Sequence, residues 1–213
     1  MWKKSQTNGK PLPDEFLEWQ VELRKHTALE RGGMPHVGVA PLVTVKAPGT
    51  PSGSITHSII CGLLPAADRL EHKTLEFRDM YQQNIEQGAR AVYDAGISYL
   101  EKYYDEIESF DPFTITTLMT EDLPLVQALR ANPRCSLLFY VFDLQDKTRI
   151  GRFRCTQLDC IAEILSEGLV YENVWWHNAL FHGPVDDHVV LRFAHQASWD
   201  TSFGRLEAMG TQS

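Results

Sequence analysis

The sequence predicts a single α+β domain on a mainly antiparallel sheet, with a long helical segment at residues 65–107. Short β-rich runs bounded by Gly and Pro occur on both sides of that segment. The apolar run Cys135–Leu144 carries hydrophobic side chains on both faces, as an interior strand does. With 213 residues, 43% of them apolar, the chain can bury one core. We expect residues 14–205 to form this domain, between a disordered basic tail at 1–13 and a flexible tail at 206–213.

The N-terminal third predicts one helix followed by two strands. Asp14–Leu29 mixes apolar and charged residues as a short amphipathic helix does. His36–Val45 is rich in β-formers, although Pro41 favours an edge strand or a bulge there. Ile55–Leu63 then has the composition of a buried strand.

Residues 65–107 show helical periodicity. Their apolar side chains recur at steps of three and four residues, among them Leu70, Phe77, Tyr81, Ile85, Val92, Tyr99 and Tyr103. Gly88 and Gly96 are the positions at which this segment would break into two helices, because glycine is unfavourable inside a helix.

The C-terminal half predicts further strands with short helices between them. Phe113–Met119 alternates as a strand does, and Thr120 is placed to cap a helix that stops at Asn132. The remaining predicted elements are a strand at Thr148–Cys155, a short helix at Leu158–Ser166, and an antiparallel hairpin of Val170–His182 with Val185–Gln196.

Composition excludes several functional classes. The net charge of −8 arises from 28 acidic and 20 basic residues, and the basic residues are scattered, so nucleic acid is not an expected partner. No apolar run is long enough for a membrane span, and no export signal is present, so neither a membrane nor secretion is expected. The four cysteines lack paired C-x-x-C spacing, which favours buried thiols in the reducing cytoplasm.

The middle of the chain resembles a known family. Residues 113–143, FTITTLMTEDLPLVQALRANPRCSLLFYVFD, followed by TRIGRFRC, give a strand, a helix, an Asn-Pro-Arg turn and a buried strand. This order resembles that of the flavin-binding split-barrel family typified by pyridoxamine-phosphate oxidase, over residues 112–196. The resemblance implies a split-barrel sheet, a small-molecule ligand and a homodimer.

The resemblance also implies a function. It suggests an oxidoreductase-like protein that holds a cofactor, either flavin mononucleotide (FMN) or haem, against Thr116, Arg149 and Arg152. The fold alone does not fix the chemistry, because related folds host different functions.

The histidines near the C-terminus suggest a different class of function. The predicted hairpin sets His182 opposite His188, close enough to share a divalent metal ion with a carboxylate from Asp187 or its neighbour Asp186. The alternative hypothesis is therefore a metal-dependent, non-redox enzyme that uses these histidines, although none of the metal-binding motifs of fixed spacing is present. His177 and His195 fall on the apolar face of the same hairpin, where a buried imidazole can act as a general base.

A non-catalytic role is the third alternative. A helix continuous over 40 residues would extend about 60 Å, more than one small sheet can cover. Its tyrosine-rich face would then form a homodimer or bind another protein.

Overall fold

The structure is a computed structural model that describes residues 9–29, 40–47, 49–104, 109–143, 152–200 and 207–208. Within these residues the helices are α1 (Asp14–Leu29), α2 (Leu70–Asn84), α3 (Ala89–Tyr103), α4 (Pro124–Ala131) and α5 (Leu169–His182). The strands are β1 (Leu42–Lys46), β2 (Ser54–Ser58), β3 (Gly62–Pro65), β4 (Phe110–Thr120), β5 (Arg134–Asp143), β6 (Arg152–Leu165), β7 (His188–Asp200) and β8 (Glu207–Ala208). No helix in this part of the chain is long and apolar enough to cross a membrane.

The strands form one antiparallel sheet in the order β2-β1-β5-β6-β7-β4-β3, with β8 paired to the end of β7. The end strands β2 and β3 are not paired with each other in the described residues, so the sheet is open. An α+β fold with an open antiparallel sheet of this kind agrees with a split barrel, and the predicted fold class is confirmed. β1 lies between β2 and β5, so the strand that follows Pro41 is not an edge strand.

Strands β6 and β7 are long and pair along most of their length, with one irregularity between Asp159 and Cys160. The predicted helix at Leu158–Ser166 is wrong, because this segment is the second half of β6. Leu158, Cys160 and Ala162 are buried, and the residues between them are more exposed. That alternation with a period of two is the pattern of a strand.

The helical segment after β3 is two helices rather than one. A 3-10 turn at Ile85–Gln87 separates α2 from α3, and Gly88 takes a φ of 103° that other residues rarely adopt. The break predicted at Gly88 is thereby confirmed. Gly96 lies inside α3 and serves another purpose. A Cβ there would lie 3.0 Å from the Phe181 ring, so glycine allows α3 to pack closely against α5.

The predicted hairpin of Val170–His182 with Val185–Gln196 is wrong. Its first half is helix α5, and only its second half is a strand, β7. Gly168 and Gly183 flank α5 with φ values of 93° and 80°, and the Gly183 N–H closes the helix on the Ala179 carbonyl. Gly183 therefore ends a helix instead of forming a two-residue strand turn.

Helix α1, predicted over Asp14–Leu29, has those bounds in the structure and packs on the sheet. Phe16 is fully buried, and its ring contacts the Phe139 ring of β5 edge to face, with centroids 5.0 Å apart. α4 begins at Pro124 with Leu123 at its N-cap, so Thr120 does not cap it as predicted. Thr120 instead stays in β4, opposite His188. α1 thus lies against the sheet, and Arg24 in its second half reaches the Cys61 carbonyl next to β3.

Candidate functional site

A cavity of about 550 Å³ lies between the helical layer and one end of the sheet. Apolar and aromatic side chains form most of its wall. They are Ile97, Leu100 and Tyr103 of α3, Tyr104 at the end of that helix, Val174 and Phe181 of α5, and Leu63 and Met119 of the sheet, among others. The polar lining comes from Arg24, Thr116, Thr117, Asn173, His177, Asn178 and His182. This volume is that of a typical small-molecule site, and such sites are mainly apolar with a few placed polar groups.

His177 and His182 both line this wall, and His177 is the one among its aromatic side chains. Its ring contacts the rings of Phe77, Tyr103 and Phe181, with centroids between 5.1 and 6.3 Å away. Its Nε2 is buried and has no hydrogen-bond partner among the described residues. Burial, reinforced by the positive charge of Arg24, lowers the pKa of His177 from 6.5 to about 4. The imidazole is therefore neutral at physiological pH, and the neutral imidazole is the form that binds metal ions.

Arg24 reaches the cavity from α1 and is only 7% exposed. Its Nη1 donates to the backbone and side-chain oxygens of Gln20 at 2.8 and 2.6 Å, and its Nη2 donates to the Cys61 carbonyl at 2.7 Å. Tyr104 also interacts with the guanidinium. All of these partners are neutral, so they orient the guanidinium without compensating its charge.

Aromatic packing holds the helical wall of the cavity in place. Tyr103 contacts Phe77 of α2, Tyr104 and Phe110, with ring centroids 4.9 to 5.4 Å apart. Tyr99 adds a polar link, because Lys73 Nζ donates to its hydroxyl at 2.9 Å and that hydroxyl donates to the Glu76 carboxylate. These tyrosines of the predicted helical face thus pack within the chain.

Two of the residues expected to hold a cofactor, Thr116 and Arg152, lie far apart along the sheet. Thr116 is buried on β4 and lines the cavity. It pairs with Arg192, which in turn pairs with Glu163 of β6. Arg152 lies eleven residues before Glu163 on that strand, up to roughly 36 Å away at the rise of a β-strand. Arg149 lies outside the described residues.

His195 lies apart from the cavity. It is buried on β7, where its Nδ1 is 3.0 Å from the Lys10 carbonyl oxygen and its own carbonyl accepts a hydrogen bond from the Lys10 N–H. Its Nε2 has no partner among the described residues. The Asp159 carboxylate nearby accepts hydrogen bonds from Ser136, Gln157 and Trp199, which lower its pKa even though burial opposes this. His177 and His195 therefore do not share a site.

The residues of the predicted metal site belong to different elements. His182 ends α5 and lines the cavity, whereas His188 begins β7 and lies opposite Thr120. Asp187 precedes β7 with a φ of 56°. Without the hairpin, the cross-strand pairing that placed His182 beside His188 is lost. Within the described ranges, no three His, Cys, Asp or Glu side chains are grouped closely enough to hold a metal ion.

Sequence reasoning missed Arg24, although a signal for it existed. In α1 the buried positions include Leu17, Gln20 and Val21. Position 24 follows them at steps of three, four and seven residues, so it falls on the same helical face. An arginine on the buried face of an amphipathic helix indicates a buried charge that needs a partner.

No protein-family model matches the chain, and no curated protein does so either. Several solved structures are similar. One is a putative pyridoxamine 5'-phosphate oxidase from Listeria innocua (9% identity, 91% of this chain and 97% of that one, TM-score 0.44). Another is a protein of the pyridoxinephosphate oxidase family, related to general stress protein 26, from Clostridium acetobutylicum (14% identity, 91% and 93%, TM-score 0.46). A third is the haem storage protein HutZ from Vibrio cholerae (8% identity, 86% and 94%, TM-score 0.43).

Structures of the family that the sequence resembles are therefore among those similar to this chain. All three TM-scores are below 0.5, so the proposals that follow depend on the chain's own residues.

Proposed function

We propose that this chain binds a flat, largely apolar cofactor of the haem or flavin class in the cavity between α3, α5 and the β3–β4 edge of the sheet. The observation that carries the proposal is a 550 Å³ cavity walled by aromatic and aliphatic side chains. A cavity of this size accommodates a ligand with several fused rings, and its aromatic walls offer such a ligand stacking and edge contacts.

His177 favours haem within this class. Its imidazole is neutral at physiological pH, and its Nε2 has no hydrogen-bond partner among the described residues. A neutral imidazole is the protein group that most often holds haem iron. When bound, haem would supply an iron centre able to exchange electrons or bind small ligands. In this chain, His177 would hold the iron, and the aromatic wall around it would limit access of water.

Flavin remains the alternative occupant that the sequence resemblance implies. The aromatic walls suit an isoalloxazine ring, and Thr116 offers a hydroxyl on the cavity wall. With flavin as the occupant, we also expect the oxidoreductase activity and the homodimer that the resemblance implies.

Titration of the purified chain with haem and with FMN, in separate experiments, tests the proposal. Gly62 lines the cavity, and a Cβ there would approach no atom closer than 3.7 Å, so the backbone at this position tolerates a side chain and Gly62→Leu adds bulk to the wall. We expect saturable binding of one cofactor and at least tenfold weaker binding to Gly62→Leu. The matched control Thr56→Leu, on the exposed face of β2, should bind as the wild type does.

His177→Phe distinguishes the two cofactors, because it keeps an aromatic ring and removes the nitrogens. A haem site should lose affinity and change its Soret absorbance, whereas a flavin site should change little. Failure of both cofactors to saturate the wild type, or equal binding by Gly62→Leu, would overturn the proposal.

A further inference from the structure

We propose that the ligand of this cavity is an anion, and that Arg24 recognises its acidic group. This inference deepens the cofactor-binding proposal and rests on it. It concerns a residue of α1, outside the region 112–196 in which the sequence resembles the flavin-binding family.

The described wall of the cavity carries positive charge without a balancing carboxylate. The described lining residues include Arg24, His177 and His182 but neither an aspartate nor a glutamate. The chain as a whole has a net charge of −8, whereas this wall holds the cationic Arg24 and no carboxylate among its described residues, so its charge is opposite in sign to that of the whole chain. A cleft lined by one sign of charge attracts ligands of the opposite sign.

Arg24 is a buried cation without a carboxylate partner among the described residues. A buried charge is costly unless it is paired with an opposite charge. The ionisable groups that influence the pKa of Arg24 are Tyr104, Cys61 and Tyr103, and no carboxylate in the described part of the chain is among them. Burial accordingly lowers the pKa of Arg24. An anion in the cavity would supply the missing countercharge.

Hydrogen bonds within the chain already orient the Arg24 guanidinium before a ligand binds. Three of its N–H groups are committed to Gln20 and Cys61 oxygens, which fixes the plane of the guanidinium at the cavity wall. A guanidinium has five N–H donors, so at most two remain for Tyr104 and a ligand. An orientation held before binding reduces the entropy that a ligand must overcome. Carboxylate, phosphate and sulfonate groups all match this donor geometry.

A matched pair of fluorescent probes tests the inference. 1-Anilinonaphthalene-8-sulfonate and N-phenyl-1-naphthylamine share one aromatic framework and differ in the sulfonate. The titrations use the full chain at pH 8, where histidines of ordinary pKa are neutral. The difference in affinity between the two probes then reports on the charge of the guanidinium. We expect the sulfonate to bind the wild type at least tenfold more tightly than the neutral probe.

Variants locate the effect. Arg24→Gln should abolish the tenfold preference and leave the affinity of the neutral probe within threefold of wild type, whereas Arg24→Lys should keep part of the preference. The control Arg90→Gln removes the same charge from an exposed site on α3 and should keep the preference intact. Gly62→Leu should weaken both probes, which would place them in the cavity.

The outcomes separate the two proposals. Equal affinity of the wild type for both probes would overturn the role of Arg24 and leave the cofactor-binding proposal standing. A preference that survives in folded Arg24→Gln would overturn it as well. Binding of neither probe would contradict the cavity as a ligand site and both proposals with it. The wild-type comparison needs no variant, so the inference is tested even if Arg24→Gln does not fold.

Discussion

His177 and Arg24 are two basic residues whose electrostatic properties are coupled. Both lie on the cavity wall, and the charge of Arg24 helps to lower the pKa of His177. A folded state in which a buried imidazole resists protonation becomes less stable as the pH falls, because the unfolded chain takes up the proton more readily. A bound ligand would give His177 Nε2 a partner and Arg24 a countercharge.

The stability of the chain should therefore depend on pH through His177. Its folded pKa of about 4 lies below the unfolded value of 6.5, so the folded state loses stability as the pH falls from about 6.5 towards 4. Between pH 7 and pH 5 the loss should be about 2 kcal/mol. Urea unfolding at both pH values should show that His177→Phe removes this part of the pH dependence.

An exposed histidine provides the control for this measurement. His57→Phe changes an exposed side chain on β2 and should retain the wild-type loss between pH 7 and pH 5. If His177→Phe lost as much stability as the wild type over the same interval, its imidazole would not be the group responsible.

At the scale of elements, the wall of the cavity depends on the close approach of α3 and α5. A Cβ at Gly96 would meet Phe181 ring carbons at 3.0 and 3.1 Å and the Leu180 Cβ at 3.3 Å. Gly96→Leu should therefore force the two helices apart and destabilise the chain by about 1–3 kcal/mol, despite the better helix propensity of leucine.

Urea midpoints of Gly96→Leu and Ser98→Leu measure this effect. Ser98 is exposed two residues further along α3, so leucine there should change the free energy of unfolding little. A Gly96→Leu protein as stable as the wild type would show that the two helices do not depend on this contact.

Elements are also the scale at which the sequence predicted least reliably. Helix α1 was predictable, because its apolar and charged residues alternate with a helical period and Gly32-Gly33 follow it. Helix α5 was mistaken for a strand, because its segment LVYENVWWHNALFH is rich in β-branched and aromatic residues and carries apolar side chains on several faces. Its burial between α2, α3 and the sheet explains that composition, and tertiary packing decided its structure.

The mistaken assignment of α5 as a strand also limited how much of the site could be predicted. Thr116, His177 and His182 were all named from the sequence, and all three line the cavity. The wrong hairpin, however, grouped His177 with His195 and His182 with His188. Contacts between residues far apart in sequence, such as Arg24 with Cys61, depend on how the helices dock. A single sequence does not contain that information in its local pattern.

At the scale of the whole molecule, α1 decides whether the cavity has its cationic wall. α1 is attached to the sheet through Phe16, which is fully buried and contacts Phe139 of β5 and Trp19 of its own helix. Just before it, the buried Leu12 donates its N–H to the Pro112 carbonyl of β4 at 2.6 Å. Arg24 lies two turns beyond Phe16, so its position depends on this anchor.

Phe16→Ala should accordingly destabilise the entire chain rather than release one helix. Truncation of a fully buried phenylalanine costs about 3–5 kcal/mol, because the side chain leaves a cavity among close-packed neighbours. Since α1 shares the core with the sheet, circular dichroism and tryptophan fluorescence should report one transition with a lower midpoint. Phe113→Ala, at a position that is 38% exposed, should cost far less. Two separate transitions, with the sheet unfolding at the wild-type midpoint, would mean that α1 is a detachable segment and that Arg24 is not fixed at the cavity.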